Sequence, residues 1–171
     1  TCETAPHYLL LCDGDLQEDG RFKMNPPLRS PADRDALVEA ALDGTIDLIA
    51  TDHAPHTAGE KSRGLAGSAM GVTGLECAFA ALYTGLVRSG RMPLERLLYM
   101  LTDAPRKRFG LPAVTLSPGE PADLTVWDLS RRWTVDPAQF LSMGKATPFA
   151  GAQVYGENRL TLAGGKTVWQ R

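Results

Sequence analysis

One short segment constrains the fold of this chain more than any other. Residues 46–51 predict a buried strand, and the sequence ATDHAPH over residues 50–56 places a carboxylate and two imidazoles at its end. Barrel enzymes keep their catalytic groups at the carboxyl-terminal tips of their strands. A carboxylate there can bind a metal ion or transfer a proton, and an imidazole can bind an anion or a metal. The segment therefore predicts an α/β fold with an active site at a strand end.

The preceding residues predict a strand, a loop and a helix. Residues 1–6 are expected to end a strand, and a long loop with two adjacent prolines in the sequence KMNPPLR (23–29) follows. A helix is expected over residues 30–44, because Ser30 is a favoured N-cap followed by proline and Gly44 suits a helix end. The order strand, loop, helix, strand favours α/β architecture.

The middle of the chain predicts a loop and then three helices. Residues 57–73 are rich in glycine and are expected to form a loop. A helix is expected over 74–89, where four apolar residues are spaced along one face. These residues are Leu75, Phe79, Leu82 and Leu86. Two shorter helices are expected near 93–102 and 103–109.

The pattern changes in the last third of the chain. Residues 151–169 are expected to form short strands, with the glycine pair at 164–165 as a hairpin turn between two of them. The sequence thus predicts an α/β part over residues 1–111 and a β-rich part over residues 112–171.

Composition argues against several classes of function. The net charge is −2, so no large basic field favours nucleic acid or an anionic membrane. No apolar run approaches the roughly 20 residues that span a bilayer. Three widely spaced cysteines without a CxxC pair argue against a disulfide framework and a structural zinc site, and favour a reducing, cytoplasmic setting. The chain does not begin with methionine and opens in an expected strand, so we expect a fragment.

Five polar residues are candidates for chemistry or for local structure. Asp52 suits a metal ligand that also carries protons, or an ordinary turn aspartate at a strand end. His56 suits an anion or metal contact, or a structural hydrogen bond. His53 should point away from the face of Asp52, because successive side chains alternate along a strand, and we expect a structural role for it and for His7. Asn25 lies in a rigid proline loop that suits either recognition or a simple turn.

Several motifs together resemble bacterial dihydroorotases, which are members of the amidohydrolase superfamily. The resemblance covers essentially the whole chain and matches the C-terminal half of that family. The motifs are Pro6-His7, KMNPPLR at 23–29, DGTID at 43–47, ATDHAPH at 50–56, GEPADL at 119–124 and TPF at 147–149. Allantoinases and dihydropyrimidinases resemble the chain more loosely, around the same two loops.

The resemblance implies a fold and a reaction. The fold is the C-terminal portion of a (β/α)8 TIM barrel, with residues 46–51 as its last strand and residues 1–6 ending the strand before it. Part of a small β-sandwich follows over residues 112–171. The implied reaction is the reversible hydrolysis of dihydroorotate to N-carbamoyl-L-aspartate in pyrimidine (UMP) biosynthesis.

The resemblance also implies roles for individual residues. Asp52 matches the metal-binding aspartate that serves as general base and acid. The positions that match substrate contacts are Asn25, His56, Met70 and Gly71. The implied cofactor is a pair of Zn²⁺ ions, whose other ligands lie in the N-terminal half: a His-x-His motif, a bridging carboxylate or carboxylated lysine, and two further histidines. We therefore expect this chain to be inactive alone and to need that N-terminal half as its partner.

Two alternatives stay open at this point. One is a non-catalytic dihydroorotase-like subunit that acts as a scaffold for aspartate transcarbamoylase. Retention of Asp52, His56 and Asn25 favours an active enzyme over this alternative. The other is a different cyclic amidohydrolase, such as an allantoinase or a dihydropyrimidinase.

Overall fold

A parallel pair of short strands forms the centre of the first part of the chain. A computed structural model describes residues 1–171, and in it β1 (Glu3–Thr4) pairs in parallel with β2 (Leu48–Ile49). The strand expected over 46–51 is therefore shorter than predicted. The ladder is short because the chain leaves β1 for a helix directly after Ala5. The last backbone hydrogen bond between the two segments runs from Ala50 N to the carbonyl oxygen of Thr4.

Seven helices and a three-stranded antiparallel sheet complete the fold. The three strands of the sheet lie side by side in chain order, each antiparallel to the next. None of the helices combines the length and the apolar character that a membrane span requires. The helices are α1 (Pro6–Leu10), α2 (Pro31–Asp43), α3 (Ala58–Lys61), α4 (Gly64–Gly67), α5 (Ala78–Leu82), α6 (Leu94–Leu101) and α7 (Asp103–Phe109), and the strands are β3 (Leu124–Thr134), β4 (Gln153–Ala163) and β5 (Lys166–Gln170).

The helix expected over 30–44 is confirmed, together with both of its end signals. The Ser30 hydroxyl accepts a hydrogen bond from Asp33 N at 3.2 Å, and the Asp33 carboxylate accepts one from Ser30 N at 3.1 Å. This reciprocal capping box satisfies two backbone donors that an uncapped helix leaves free. Gly44 ends the helix with φ of +92°, a left-handed conformation that costs glycine little. The two short helices expected near 93–102 and 103–109 are confirmed as α6 and α7.

The start predicted for the helix at 74–89 is wrong. Regular α-helix begins at Ala78 and continues as a π-helical turn over Tyr83–Val87, and Leu75 is 60% exposed. The N–H groups of Gly74 and Leu75 donate to Nδ1 of His53, at 3.3 and 3.2 Å. These hydrogen bonds hold the backbone before Ala78 in a loop.

Two other expectations need correction. The loop expected over 57–73 contains the one-turn helices α3 and α4, and the loop expected after residue 6 begins with α1. The first of these short helices forms because Thr57 and Glu60 make a capping box. In the last third, the hairpin turn at 164–165 is confirmed, but β4 is one strand of 11 residues rather than several short ones.

Two hydrophobic clusters hold these elements together. The first packs α1, α2, α5 and α6 around β2. Its fully buried leucines are Leu9, Leu82, Leu86 and Leu97. The second joins α5 to the β-rich part. Its members are Cys77, Ala80, Ala81, Val135, Phe140, Phe149 and Val154. The antiparallel sheet therefore packs against the helical part through α5.

Candidate active site

Asp52 lies at the carboxyl-terminal edge of the parallel pair. It follows β2 and is the one non-glycine residue with a positive φ, at +49°. Aspartate tolerates this left-handed region better than most residues, and strained backbone is often found at functional sites. The side chain is 47% exposed. The backbone thus presents a solvent-accessible carboxylate where α/β proteins usually bind ligands.

His7, for which a structural role was expected, lies beside this carboxylate. Its Nε2 is 3.6 Å from Oδ2 of Asp52, a distance too long for a hydrogen bond. The side chain is 1% exposed, and Nε2 has no hydrogen-bond partner. Burial lowers the pKa of His7 to about 4, although the nearby Asp52 carboxylate opposes this shift. The imidazole is therefore neutral at neutral pH and faces the carboxylate without forming an ion pair.

Tyr8 connects the same region to the proline loop. Its hydroxyl donates a hydrogen bond to the carbonyl oxygen of Pro26 at 3.0 Å. Burial and the charge of Asp52 together raise the pKa of Tyr8 to about 12. The phenol therefore stays protonated and remains a donor to the loop that carries Asn25.

Buried apolar side chains hold the proline loop (23–29) in place. Met24 and Leu28 are buried and pack against Val72, while Asn25 between them is exposed. The exposed amide is therefore held on a backbone that has little freedom to move.

His56 meets the segment that contains Met70 and Gly71. Its Nε2 lies 2.8 Å from the carbonyl oxygen of Met70, and because a carbonyl only accepts, Nε2 carries the proton in this contact. Gly71 has φ of +133° and packs against Ala54, whose Cβ would lie 2.7 Å from any Cβ at position 71. The Met70 side chain is 56% exposed. The structure therefore brings three of the predicted substrate-contact residues together.

His53 has the structural role expected of it. Its Nδ1 accepts the two backbone hydrogen bonds from Gly74 and Leu75, and its Nε2 lies 3.4 Å from the Ser142 hydroxyl. Both ring nitrogens thus connect the ATDHAPH segment (50–56) to the loops that contain residues 74–75 and 142.

The described residues do not form a metal site by themselves. No group of three or more His, Cys, Asp or Glu side chains lies close enough to hold one ion. Zinc sites use three or four protein ligands, whereas the Asp52 carboxylate has only the His7 imidazole beside it. Asp52 therefore fits as a single donor, and the chain does not contain the rest of a donor set.

We expect this chain, purified alone, to bind no stoichiometric zinc. A lone carboxylate has low affinity, and the His7 nitrogen is buried against it rather than arranged around an open site. Equilibrium dialysis followed by elemental analysis measures the zinc content, with Asp52→Ala as the matched control. Tight binding of two zinc ions per chain would contradict this expectation.

Comparison with known proteins identifies the family. The sequence matches the model of the amidohydrolase family over residues 23–168. The chain belongs to the amidohydrolase family. Among curated amidohydrolase relatives, dihydroorotase of Bacillus cytotoxicus is 52% identical over 172 aligned residues, which include all of this chain and 40% of that protein. Dihydroorotase of Bacillus cereus is 51% identical with the same coverage. The chain spans about 40% of the length of these relatives.

Solved amidohydrolase structures share the fold. The L-hydantoinase (dihydropyrimidinase) from Arthrobacter aurescens has a TM-score of 0.88 and 34% identity, covering 99% of this chain and 39% of that one. A dihydropyrimidinase from Brevibacillus agri has a TM-score of 0.87 and 25% identity, covering 98% of this chain and 39% of that one. The resemblance to amidohydrolases proposed from the sequence is thus confirmed.

Proposed function

We propose that this chain is the C-terminal part of a dihydroorotase, which interconverts dihydroorotate and N-carbamoyl-L-aspartate. The observation that supports it is identity over the whole chain: 52% to a dihydroorotase, against 34% to a hydantoinase of the same fold. On this proposal, residues 1–111 belong to the C-terminal part of a (β/α)8 barrel and residues 112–171 to a β-sandwich. The parallel pair in the first part and the antiparallel sheet in the second are consistent with this division.

Asp52 is the proton carrier of the proposed reaction. Hydrolysis of a cyclic amide requires a proton to leave the attacking water and a proton to reach the leaving ring nitrogen, and one carboxylate can perform both transfers. The exposed edge position of Asp52 suits this role. Because His7 is neutral, it forms no ion pair with this carboxylate.

Asp52 is also, on this proposal, one ligand of a metal centre completed by the N-terminal half of the enzyme. A bound zinc ion polarises a carbonyl group and makes a hydroxide available at neutral pH. The chain's own contribution is the carboxylate, held in a left-handed backbone conformation after β2.

The substrate is held, on the same proposal, by three segments around Asp52. Asn25 offers its exposed amide, and His56 lies against the backbone of the segment that contains Met70 and Gly71. The side-chain amide of Asn25 can donate to the substrate's carboxylate, and backbone groups suit its ring amide.

A second candidate function is hydrolysis of a hydantoin or dihydropyrimidine. The specific observation that favours it is the TM-score of 0.88 with the L-hydantoinase. These rings lack the carboxylate that dihydroorotate carries, so substrate preference separates the two functions.

We expect the complete enzyme, with this chain as its C-terminal part, to prefer dihydroorotate. Its kcat/KM for dihydroorotate should exceed that for dihydrouracil, hydantoin and allantoin by about 100-fold or more, because a site built to bind a polar group rejects analogues without it. Steady-state assays with the four substrates, beside the Bacillus cytotoxicus dihydroorotase as reference, measure this ratio. A higher kcat/KM for hydantoin or dihydrouracil would overturn the proposal in favour of the second candidate.

A further inference from the structure

Lys61 is a buried cation that forms no salt bridge, and its hydrogen bonds go to main-chain carbonyl groups. The residue is 7% exposed, and its Nζ donates to three backbone carbonyl oxygens: those of Lys23 at 3.0 Å, Ala69 at 2.8 Å and Gly71 at 2.7 Å. An ammonium has three donors, so every one of them is used. Buried lysines are usually paired with a carboxylate, because burying a charge is costly. Burial and the nearby charge of Lys23 lower the pKa of this amine, although the charge of Asp19 opposes the shift.

The carbonyls that Lys61 contacts belong to the segments that carry the proposed substrate contacts. Lys23 lies two residues before Asn25, and Ala69 and Gly71 lie on either side of Met70. Lys61 itself ends α3, the short helix that begins just after His56. The ammonium thus lies at the point where the three segments meet.

A direct hydrogen bond between two of these segments adds to the contact. Gly71 N donates to the carbonyl oxygen of Lys23 at 3.0 Å, so that oxygen accepts from both Gly71 and Lys61. The N–H of Ala69 donates to the carbonyl oxygen of Glu60, also at 3.0 Å. Loss of the ammonium would leave the inward-facing carbonyls short of donors in a buried region, so the loops would have to separate or admit water.

We propose that Lys61 is a positioning residue that holds the substrate-binding loops in their binding geometry without touching the substrate. This inference rests on the proposed function, which assigns substrate contacts to Asn25, His56, Met70 and Gly71. Since all three donors of Lys61 are used within the protein, it has none left for a ligand. Its contribution is preorganisation, which acts mainly on substrate affinity.

The test compares Lys61→Met with wild type in the complete enzyme. We expect KM for dihydroorotate to rise by about tenfold or more, with a much smaller change in kcat. The reason is that the variant loses three charge-assisted hydrogen bonds that hold the binding loops in place. The matched control is Lys166→Met, which removes an exposed lysine in β5 and should leave KM within about twofold.

Amide hydrogen exchange supplies a measurement that does not depend on the reaction. The amides of Ala69 and Gly71 should exchange about tenfold faster or more in Lys61→Met, because the loops that protect them have lost their common donor. If the wild-type enzyme fails to hydrolyse dihydroorotate, the proposed function fails while the exchange measurement still tests the loop-holding role.

A second variant keeps the inference open to refutation if Lys61→Met does not fold. In Lys61→Gln the side chain is shorter and uncharged but retains two hydrogen-bond donors. We therefore expect KM and the amide exchange rates to change in the same direction as in Lys61→Met, but by smaller factors. Unchanged exchange at Ala69 and Gly71 in the variant that folds would overturn the inference. A fall in kcat at constant KM would also overturn it.

Discussion

Replacing Asp52 with asparagine in the complete enzyme is expected to lower kcat for dihydroorotate hydrolysis by about 10²–10⁴-fold. Asparagine has nearly the same shape and tolerates the left-handed backbone at φ of +49°, so the fold should be preserved. The amide cannot accept the proton that leaves water, and it is a weaker metal ligand than a carboxylate, so both proposed roles of Asp52 are impaired.

Steady-state kinetics and thermal unfolding together check this expectation. Asp13→Asn is the matched control, because Asp13 is exposed and lies outside the site. Its kcat should stay within about twofold of wild type, as for most surface substitutions. Retention by Asp52→Asn of more than about a hundredth of the wild-type kcat would argue against proton transfer by this carboxylate.

Gly71→Ala is expected to have the next largest effect, on both substrate binding and stability. A Cβ at this position would lie 2.7 Å from Ala54 Cβ and 2.8 Å from the Ala54 carbonyl oxygen, and φ of +133° is unfavourable for any residue with a side chain. The free energy of unfolding should fall by about 1–3 kcal/mol. KM for dihydroorotate should rise by about tenfold or more, because the loop beside His56 must move away.

Gly44→Ala separates backbone strain from crowding in this experiment. Gly44 also has a positive φ, of +92°, but no heavy atom lies within 4 Å of a Cβ placed there, and it ends α2 away from the site. Chemical denaturation should show a loss of stability in both variants, with the larger loss at position 71. An unchanged KM in Gly71→Ala would show that this loop does not shape the binding site.

Local signals explain which elements could be predicted from the sequence. The helix α2 was predictable because Ser30, Asp33 and Gly44 act on their immediate neighbours. The start of α5 was not, because His53 binds the backbone of Gly74 and Leu75 across 21 and 22 positions of the sequence. Such a long-range contact overrides a helical pattern of apolar residues.

The residues of the candidate site also differ in whether the local sequence indicates them. Asp52 and His56 stand out because they follow an apolar run directly, whereas Met70 and Gly71 were indicated only by the family resemblance. His7 carried a usable signal, since it also follows a strand, but its approach to Asp52 depends on the pairing of β1 with β2.

Lys61 carried no local signal of its role in the sequence. A lysine in a glycine-rich segment predicts an exposed charge, and its burial results from carbonyl groups at positions 23, 69 and 71. Two of those positions flank Met70, and the sequence around Met70 does not indicate which residue holds its loop.

The contacts of Lys61 have a consequence for which positions of the surrounding loops can change in sequence. Every acceptor is a main-chain carbonyl, so the contacts do not depend on which side chains occupy positions 23 and 69. The exposed side chain of Met70, between two of the acceptors, can therefore vary while the loop keeps its path. Evolution or protein engineering can thus exchange the side chain at position 70 independently of the interactions that fix the backbone on either side of it.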